Sequence, residues 1–185
     1  VVQLNAECDD ALREVISRGN VVVNALFYTF NERVAKAAID QMDVIPGRPD
    51  ENHKKILEII STAKEKQADI LLLPEMCIPG YLIGDLWEQQ TFLDDCQYYA
   101  EQIIAASQGI CIMFGNVAFE KDKLNEDGRL RKYNAAFACQ DGQIIGGYMG
   151  RNFIIKNSLP NYREFDDYRY FYSLQKLCAE EDAVV

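Results

Sequence analysis

Apolar and polar positions along the first half of the chain predict a strand, a helix and a second strand. Val34–Met42 is a mostly apolar run, and the stretch 45–49 after it is rich in chain breakers, which predicts a strand followed by a loop. Asp50 is then predicted to cap an amphipathic helix, because apolar residues recur behind it at helical spacing. These positions are Ile56, Ile59, Ile60 and Ala63. The apolar run 68–73 predicts a short strand buried on both faces, so the order is typical of an α/β fold.

The next part of the chain predicts a second helix and a second buried strand. Thr91 and Asp94 have the spacing of a capping box, which predicts that a helix starts there. The run 110–114 is continuously apolar after Gly109 and predicts a further buried strand. A strand, a helix and a strand in this order again favour parallel pairing.

An antiparallel hairpin is predicted in the second half. The segments 134–139 and 143–149 flank Asp141-Gly142, a dipeptide that favours a two-residue hairpin turn. The charged run 120–132 is predicted to be a solvated loop. Residues 1–33 do not fit the strand and helix order, although 9–18 could form a helix and 21–30 a strand. We therefore divide the chain into an N-terminal extension of unclear role, 1–33, and one domain, 34–185.

Composition and charge exclude several classes of function. The 185 residues carry 19 Lys and Arg against 29 Asp and Glu, a formal net charge of −10, which repels phosphate backbones and anionic lipid headgroups. The apolar run 21–30 contains Asn24 and is shorter than the roughly 18 residues that a membrane helix needs. The first twenty residues lack the basic flank of a signal peptide. We expect no nucleic-acid partner, no membrane span and a cytoplasmic location.

Cysteine and histidine spacing gives no metal or triad motif. The six cysteines are scattered without a C-x-x-C pair, which predicts free thiols and no metal site. His53 is the sole histidine and lies in a charged run, 50–55, where a solvated position on a helix is expected. A triad of the Ser-His-Asp or Cys-His type would have to use this residue.

Two charged residues at the ends of apolar segments are candidates for chemistry. Glu75 follows Leu71-Leu72-Leu73-Pro74, and strand ends are where α/β folds build their sites. Lys156 ends the apolar stretch 153–155, and a lysine placed there can present a positive charge to a developing oxyanion. Position alone leaves a loop carboxylate and a salt-bridged surface lysine open as alternatives.

The segments around these two residues resemble the nitrilase superfamily, and more closely the N-terminal glutamine-hydrolysing domain of glutamine-dependent NAD synthetases. The resemblance covers about Val34 to Leu174. Its most specific part is the pattern K-x-x-LPNY-x-x-FD-x-x-RYF, and PE-x-x-x-x-GY is shared more widely. The matching segments are VAKAAIDQMDVIPG, ADILLLPEMCIPGYLIGDLW, YNAAFACQDGQIIGGY and KNSLPNYREFDDYRYF.

The resemblance implies a four-layer αββα sandwich, incomplete in this chain, with a Glu-Lys-Cys constellation that hydrolyses the side-chain amide of glutamine. It implies that Glu75 is the general base, that Lys156 stabilises the oxyanion and that Tyr162 lines the glutamine pocket. Asp167 stands where relatives often carry Glu, so the resemblance does not assign this carboxylate a role. Nitrilase-type domains usually pair through their helices, so the resemblance also implies a homo-oligomer.

The nucleophilic cysteine is the main departure from the family pattern. In the family it follows a later apolar strand in a Cys-Glu-Asp run, whereas only 29 residues follow Lys156 here. Cys178 is the only cysteine among them and follows a helix-like segment, and Cys77 occupies a position that packing residues fill in relatives. We expect the nucleophile to lie beyond Val185, so that this chain by itself is inactive. A synthetase domain that uses ATP and Mg to make NAD from its deamido precursor is expected there too, with no cofactor in the present chain.

Two other functions remain open from the sequence. One is a stand-alone carbon-nitrogen hydrolase that cleaves a small amide, although the LPNY and RYF segments argue against it. The other is a catalytically silent module that keeps the fold without the nucleophile. An incomplete sandwich is also expected to expose apolar faces of the strand 110–114 and the hairpin.

Overall fold

The computed structural model describes residues 42–183. The predicted extension 1–33 and the predicted strand 34–42, apart from Met42, lie outside these residues. The described elements in chain order are α1 (Pro49–Glu65), β1 (Ile70–Leu72), a short 3-10 helix (Gly84–Glu88), α2 (Gln90–Ala105), β2 (Cys111–Leu124), β3 (Leu130–Gln140), β4 (Gln143–Ile144), β5 (Ile154–Ile155), α3 (Asp167–Tyr170) and α4 (Leu174–Glu180).

The strands form one mixed sheet. β1 and β2 run parallel, with Ile70 opposite Cys111, and α2 makes the crossover between them, as the strand and helix order predicts. β2 and β3 form a long antiparallel pair, and β4 and β5 both pair with β3. Asp141 and Gly142 have φ angles of 52° and 80°, the left-handed backbone that a tight hairpin turn requires. The predicted hairpin turn is therefore confirmed, but its second strand covers only Gln143–Ile144 and not the predicted 143–149.

Helices α1 and α2 cover one face of the sheet and form the main core with it. Ile56 of α1, Ile103 of α2 and Ile112 of β2 are completely buried there. Between the two helices the ring of His53 packs against Tyr99 at a centroid distance of 4.8 Å. Partial burial lowers the pKa of His53, so this residue is a packing contact rather than the fully solvated histidine expected from its charged neighbours.

The opposite face of the sheet is apolar and open along β1, the start of β2 and β5. Leu72 is 61% exposed, Met113 39% and Ile154 50%, and the register places them on the same face. The prediction that β1 is buried on both faces is therefore wrong for residues 42–183, because no described helix or sheet covers this side. The expected exposure of the second strand is confirmed for Met113. Residues 42–183 thus form one helix layer and one sheet, half of an αββα sandwich.

Both predicted helix starts are wrong by a small number of residues. α1 starts at Pro49 after Arg48, and Asp50 accepts hydrogen bonds from the Arg48 side chain. Proline has no N–H, so at the first helical position it leaves one fewer donor to cap. α2 starts at Gln90 without a side-chain cap, which places Thr91 inside the helix. Asp94 accepts a hydrogen bond from the Gln90 side chain instead.

The charged segment 120–132 is mostly strand, so the predicted loop is wrong, although residues 121, 122, 124 and 126–129 are exposed as predicted. β2 continues to Leu124 and β3 starts at Leu130, which leaves only 125–129 as the connection. Lys121 and Asp122 on β2 are exposed, whereas the two buried charges at the start of β3 are paired. Lys132, 2% exposed, lies 2.9 Å from a Glu88 oxygen, and Arg131 lies 2.8 Å from Glu180. No helix among residues 42–183 is both long and apolar enough to cross a membrane.

Removing the partner of buried Lys132 is expected to destabilise the fold. Glu88→Ala leaves the Lys132 ammonium without the carboxylate 2.9 Å away, and an uncompensated buried charge is costly. We expect the free energy of unfolding in urea to fall by about 3 kcal/mol, the lower end of the usual range for breaking a buried pair. Glu126→Ala, at an exposed position in the hairpin connection, is the control. Equal losses in the two variants would contradict a structural ion pair at Lys132.

Candidate active site

The two candidate residues from the sequence form a direct ion pair. Glu75 lies in the turn after β1, and Lys156 directly follows β5. The Lys156 ammonium donates a hydrogen bond to Glu75 Oε1 at 2.7 Å. Both side chains line one end of a groove of about 490 Å³ that continues along the open apolar face of the sheet. The structure thus brings together two residues that are 81 positions apart in the sequence.

Three further polar side chains complete the cluster. Asn134 on β3 donates its side-chain amide to Glu75 Oε1 at 2.6 Å. The Tyr81 hydroxyl accepts a hydrogen bond from Lys156 at 3.4 Å and donates one to Asp167. Asp167 also lies 3.8 Å from the Lys156 ammonium. Lys156 therefore lies between two carboxylates, one half-exposed and one buried.

Burial raises the pKa values of two groups beside Lys156, the Asp167 carboxyl and the Tyr81 hydroxyl. The Asp167 side chain is only 4% exposed, and burial raises the pKa of this carboxyl above its usual value. Burial, together with the hydrogen bond to Asp167, also raises the pKa of Tyr81. The phenol stays protonated at neutral pH and donates its proton to Asp167. Tyr81 and Asp167 are thus hydrogen-bonded to each other, and both lie beside the Lys156 ammonium.

The backbone around Glu75 is fixed by a close approach to β2. Cys77 donates its backbone N–H to the Gly115 carbonyl at 3.0 Å, and Gly115 donates to the Pro74 carbonyl at 3.3 Å. A Cβ on Gly115 would lie 2.5 Å from the Met76 nitrogen and 2.7 Å from the Glu75 Cα. Only glycine allows the two backbones to approach this closely. The position of Glu75 therefore depends on the absence of a side chain on the neighbouring strand.

Gly115→Ala is expected to displace the Glu75 turn. The added methyl overlaps backbone atoms rather than a flexible side chain, and overpacking of this kind typically costs about 1 to 3 kcal/mol of stability. We expect a lower urea midpoint and, in a crystal structure of the variant, a Glu75 to Lys156 separation longer than 2.7 Å. Gly146→Ala is the control, because its Cβ would meet only the Ala138 side chain at 3.5 Å. An unmoved Glu75 in Gly115→Ala would contradict this account of the turn.

The backbone of Lys156 is held on two sides. Its N–H donates to the Asn134 carbonyl at 2.9 Å, and its carbonyl accepts from the N–H of Leu174 at 3.2 Å. The first contact extends the pairing of β5 with β3, and the second attaches the strand end to the first residue of α4. These hydrogen bonds fix the position of the Lys156 backbone, from which the side chain extends towards Glu75.

Tyr162 lies at the periphery of the cluster. It is 62% exposed, and its ring lies 5.7 Å from Phe165, which in turn lies 5.6 Å from Tyr81. Among residues 42–183 it makes no hydrogen bond to Glu75 or Lys156. The role of Tyr162 in lining a glutamine pocket stays a prediction.

The cysteines within residues 42–183 are all buried and free. The Cys77 thiol donates to the Gly115 carbonyl at 3.4 Å, and burial raises its pKa to about 12. The Cys178 sulfur lies on α4 and contacts Met149. No sulfur in this part of the chain hydrogen-bonds Glu75 or Lys156. In the same residues, no group of three potential ligands is arranged to hold a metal ion.

Cys77 is expected to resist alkylation in the folded chain. The thiol is completely buried, and burial raises its pKa to about 12, so the reactive thiolate is scarce at pH 7 and reagent has no access to the sulfur. Iodoacetamide followed by peptide mass spectrometry is expected to leave Cys77 unmodified in buffer and to modify it in urea. Labelling in buffer at the rate of a free cysteine would make Cys77 a candidate nucleophile after all.

Sequence reasoning missed Asn134 and Tyr81, and it left Asp167 without a role. Tyr81 is part of the PE-x-x-x-x-GY pattern, and Asn134 is the second residue of the hairpin segment YNAAF. Both positions lie in segments that carry the family resemblance, but only the strand register and the course of the loop place all three side chains around Glu75 and Lys156.

Comparisons with known proteins identify the family of this chain. The family model for carbon-nitrogen hydrolases matches residues 36–172. Glutamine-dependent NAD(+) synthetases of Thermotoga maritima and Xanthomonas campestris are 30% and 34% identical, each over 74% of this chain. The chain spans only 21% and 22% of their lengths.

Solved structures of a glutamine-dependent NAD+ synthetase and of an amidase superpose on this chain. The glutamine-dependent NAD+ synthetase of Acinetobacter baumannii superposes with a TM-score of 0.55 at 30% identity, over 72% of this chain and 23% of that one. An amidase from Nesterenkonia sp. superposes with a TM-score of 0.57 over 72% of this chain and 45% of that one, at 18% identity, which supports the fold alone. The chain belongs to the carbon-nitrogen hydrolase family.

Proposed function

We propose that this chain contributes to a site that hydrolyses glutamine and supplies ammonia for ATP-dependent NAD synthesis. The observation that carries the proposal is the pair of Glu75 and Lys156 at 2.7 Å, formed at two strand ends in a chain of this family. A carboxylate and an ammonium in direct contact can act as a proton acceptor and as an oxyanion donor in the same reaction. The names of the relatives supply the substrate.

The proposed reaction proceeds through a thioester. A cysteine thiol attacks the side-chain carbonyl of glutamine while Glu75 takes the thiol proton, and the tetrahedral oxyanion forms beside the Lys156 ammonium. When the intermediate collapses, the carbon-nitrogen bond breaks, and Glu75 returns the proton to the departing ammonia. Water then attacks the thioester, which gives glutamate and restores the thiol.

The nucleophilic thiol in this proposal comes from outside residues 42–183. Each cysteine in that range is buried, and Cys77 and Cys178 are directed to a carbonyl and to Met149 respectively. The open apolar face beside Glu75 and Lys156 offers room for further strands that bring a thiol to this end of the groove. Glu75 and Lys156 are therefore half of a site.

The remaining parts of the proposal concern the whole protein. Because this chain spans about a fifth of its NAD synthetase relatives, a separate synthetase domain would bind ATP and Mg and consume the ammonia. We further propose a cytoplasmic location, as the sequence led us to expect, and a homo-oligomer, because the resemblance to nitrilase-type domains implies pairing through their helices.

Ammonia release by the complete product of the gene that encodes this chain tests the proposal. We expect release from L-glutamine with one glutamate formed per ammonia, and no release from asparagine at the same concentration. With ATP and deamido-NAD present, we expect NAD to accumulate. No ammonia from any amide would contradict the proposal and favour the silent module.

A stand-alone amidase is the second candidate. It is favoured by a relative named 2-oxoglutaramate amidase from Bacillus subtilis, which is 35% identical over 58% of this chain. The same assay with 2-oxoglutaramate separates the two functions. A preference for this amide over glutamine, without NAD formation, would replace the first proposal with the second.

A further inference from the structure

We propose that Asn134 is a positioning residue that determines which oxygen of Glu75 accepts the proton. This inference rests on the proposed function, because it assigns Glu75 the role of base. Its basis is the way the donors around Glu75 are distributed between the two carboxylate oxygens.

Both donors converge on the same oxygen. The Asn134 amide donates to Glu75 Oε1 at 2.6 Å, and the Lys156 ammonium donates to the same atom at 2.7 Å. Within residues 42–183 no group donates a hydrogen bond to Oε2. An oxygen that already accepts two short hydrogen bonds, one of them from a cation, is a poor acceptor for a third proton. Oε2 is therefore the oxygen that takes the proton of the thiol.

Asn134 connects the two reacting residues through different atoms. Its side chain holds the Glu75 carboxylate, and its backbone carbonyl accepts the N–H of Lys156 at 2.9 Å. Asn134 itself is 3% exposed and lies within β3 opposite Val117. The Glu75 side chain is half-exposed and would otherwise be free to rotate. A rigid neutral donor thus fixes a mobile base without adding charge.

A hydrogen bond from Lys156 alone would not hold the Glu75 carboxylate in one orientation. Its long side chain is flexible, and its ammonium also lies within reach of Tyr81 and Asp167. Without Asn134, the ammonium can bond either oxygen of Glu75, so that the free oxygen is no longer always the same one. If the carboxylate rotates, Oε1 and Oε2 exchange positions, and the oxygen that should take the thiol proton is then the one held by the hydrogen bonds. Misplacement of a reacting group on this scale can cost about 100-fold in rate.

The test compares Asn134→Ala with Asn116→Ala. Asn116 is an equally buried asparagine on the adjacent strand β2, but its amide donates to the Cys96 carbonyl rather than to the cluster. We expect Asn134→Ala to lower kcat for ammonia release from glutamine about 10-fold to 100-fold with little change in KM. Asn116→Ala is expected to lose stability and keep its kcat. Equal kcat values for Asn134→Ala and the unaltered protein would overturn the inference.

Asn134→Asp gives a sharper comparison, because it preserves the shape of the side chain and removes the donor. A carboxylate 2.6 Å from Glu75 repels it, so this variant is expected to lose at least as much kcat as Asn134→Ala. Retention of activity by Asn134→Asp would overturn the inference even if Asn134→Ala were impaired, because the donor would then be dispensable.

A second measurement does not depend on activity. Urea midpoints are measured for Asn134→Ala, for Glu75→Ala and for the double variant. If the two side chains are coupled, the urea midpoint of the double variant falls by less than the sum of the decreases in the two single variants. Additive midpoints would overturn the inference, whether or not glutamine is the substrate. If the unaltered protein releases no ammonia but the midpoints are coupled, the proposed function fails and the fixed orientation of Glu75 stands.

Discussion

Glu75→Gln is expected to lower kcat for ammonia release from glutamine by about 100-fold to 10,000-fold, the range for loss of a general base. Glutamine has nearly the same shape and can still accept the hydrogen bonds from Asn134 and Lys156 through its carbonyl oxygen. The change therefore removes the ability to take a proton and leaves the packing in place. Initial rates over a range of glutamine concentrations separate the effect on kcat from that on KM.

Glu65→Gln is the matched control for the loss of a carboxylate. Glu65 is exposed at the last residue of α1, and we expect this variant to keep the full rate. If Glu75→Gln retained a rate within a few-fold of the unaltered protein, the assignment of Glu75 as the base would be wrong.

Lys156→Met is expected to lower kcat by about 100-fold to 1,000-fold, as loss of one oxyanion donor does. Methionine preserves the apolar part of the side chain but leaves Glu75 without the ammonium 2.7 Å away and Asp167 without the one at 3.8 Å. Because the oxyanion exists only in the tetrahedral intermediate, we expect the loss in kcat rather than in KM.

Lys64→Met is the control for this change, at an exposed position in the last turn of α1. A circular dichroism melt of each variant distinguishes chemical loss from unfolding. If Lys156→Met raised KM and left kcat unchanged, Lys156 would bind glutamine without stabilising the oxyanion.

Local pattern in the sequence was enough to select the two candidate residues that the structure brings into contact. Glu75 and Lys156 each end an apolar run, and the ends of strands in α/β folds are predictable positions for chemistry. Asn134 lies inside a strand, where its face depends on register, and a shift of one residue would turn it away from Glu75. Its contact with Glu75 could therefore not be derived without the observed pairing of β3 with β2 and β5.

Charged segments were the main source of error in predicting the fold. The run 120–132 is rich in Lys, Glu and Asp, which usually indicates solvent exposure. In the structure its two buried charges, Lys132 and Arg131, form ion pairs with the distant residues Glu88 and Glu180, and Lys121 and Asp122 stay exposed. Pairing with residues more than 40 positions away removes the cost of burial and cannot be seen in a local pattern.

The thioester route can be followed by intact-mass spectrometry after acid quench of the complete gene product with glutamine. We expect a γ-glutamyl thioester on a cysteine outside residues 42–183, whose formation is slowed in Glu75→Gln and Lys156→Met. Peptide mapping locates the modified cysteine. A thioester on one of the buried cysteines within residues 42–183, or ammonia release with no thioester at any quench time, would contradict the account.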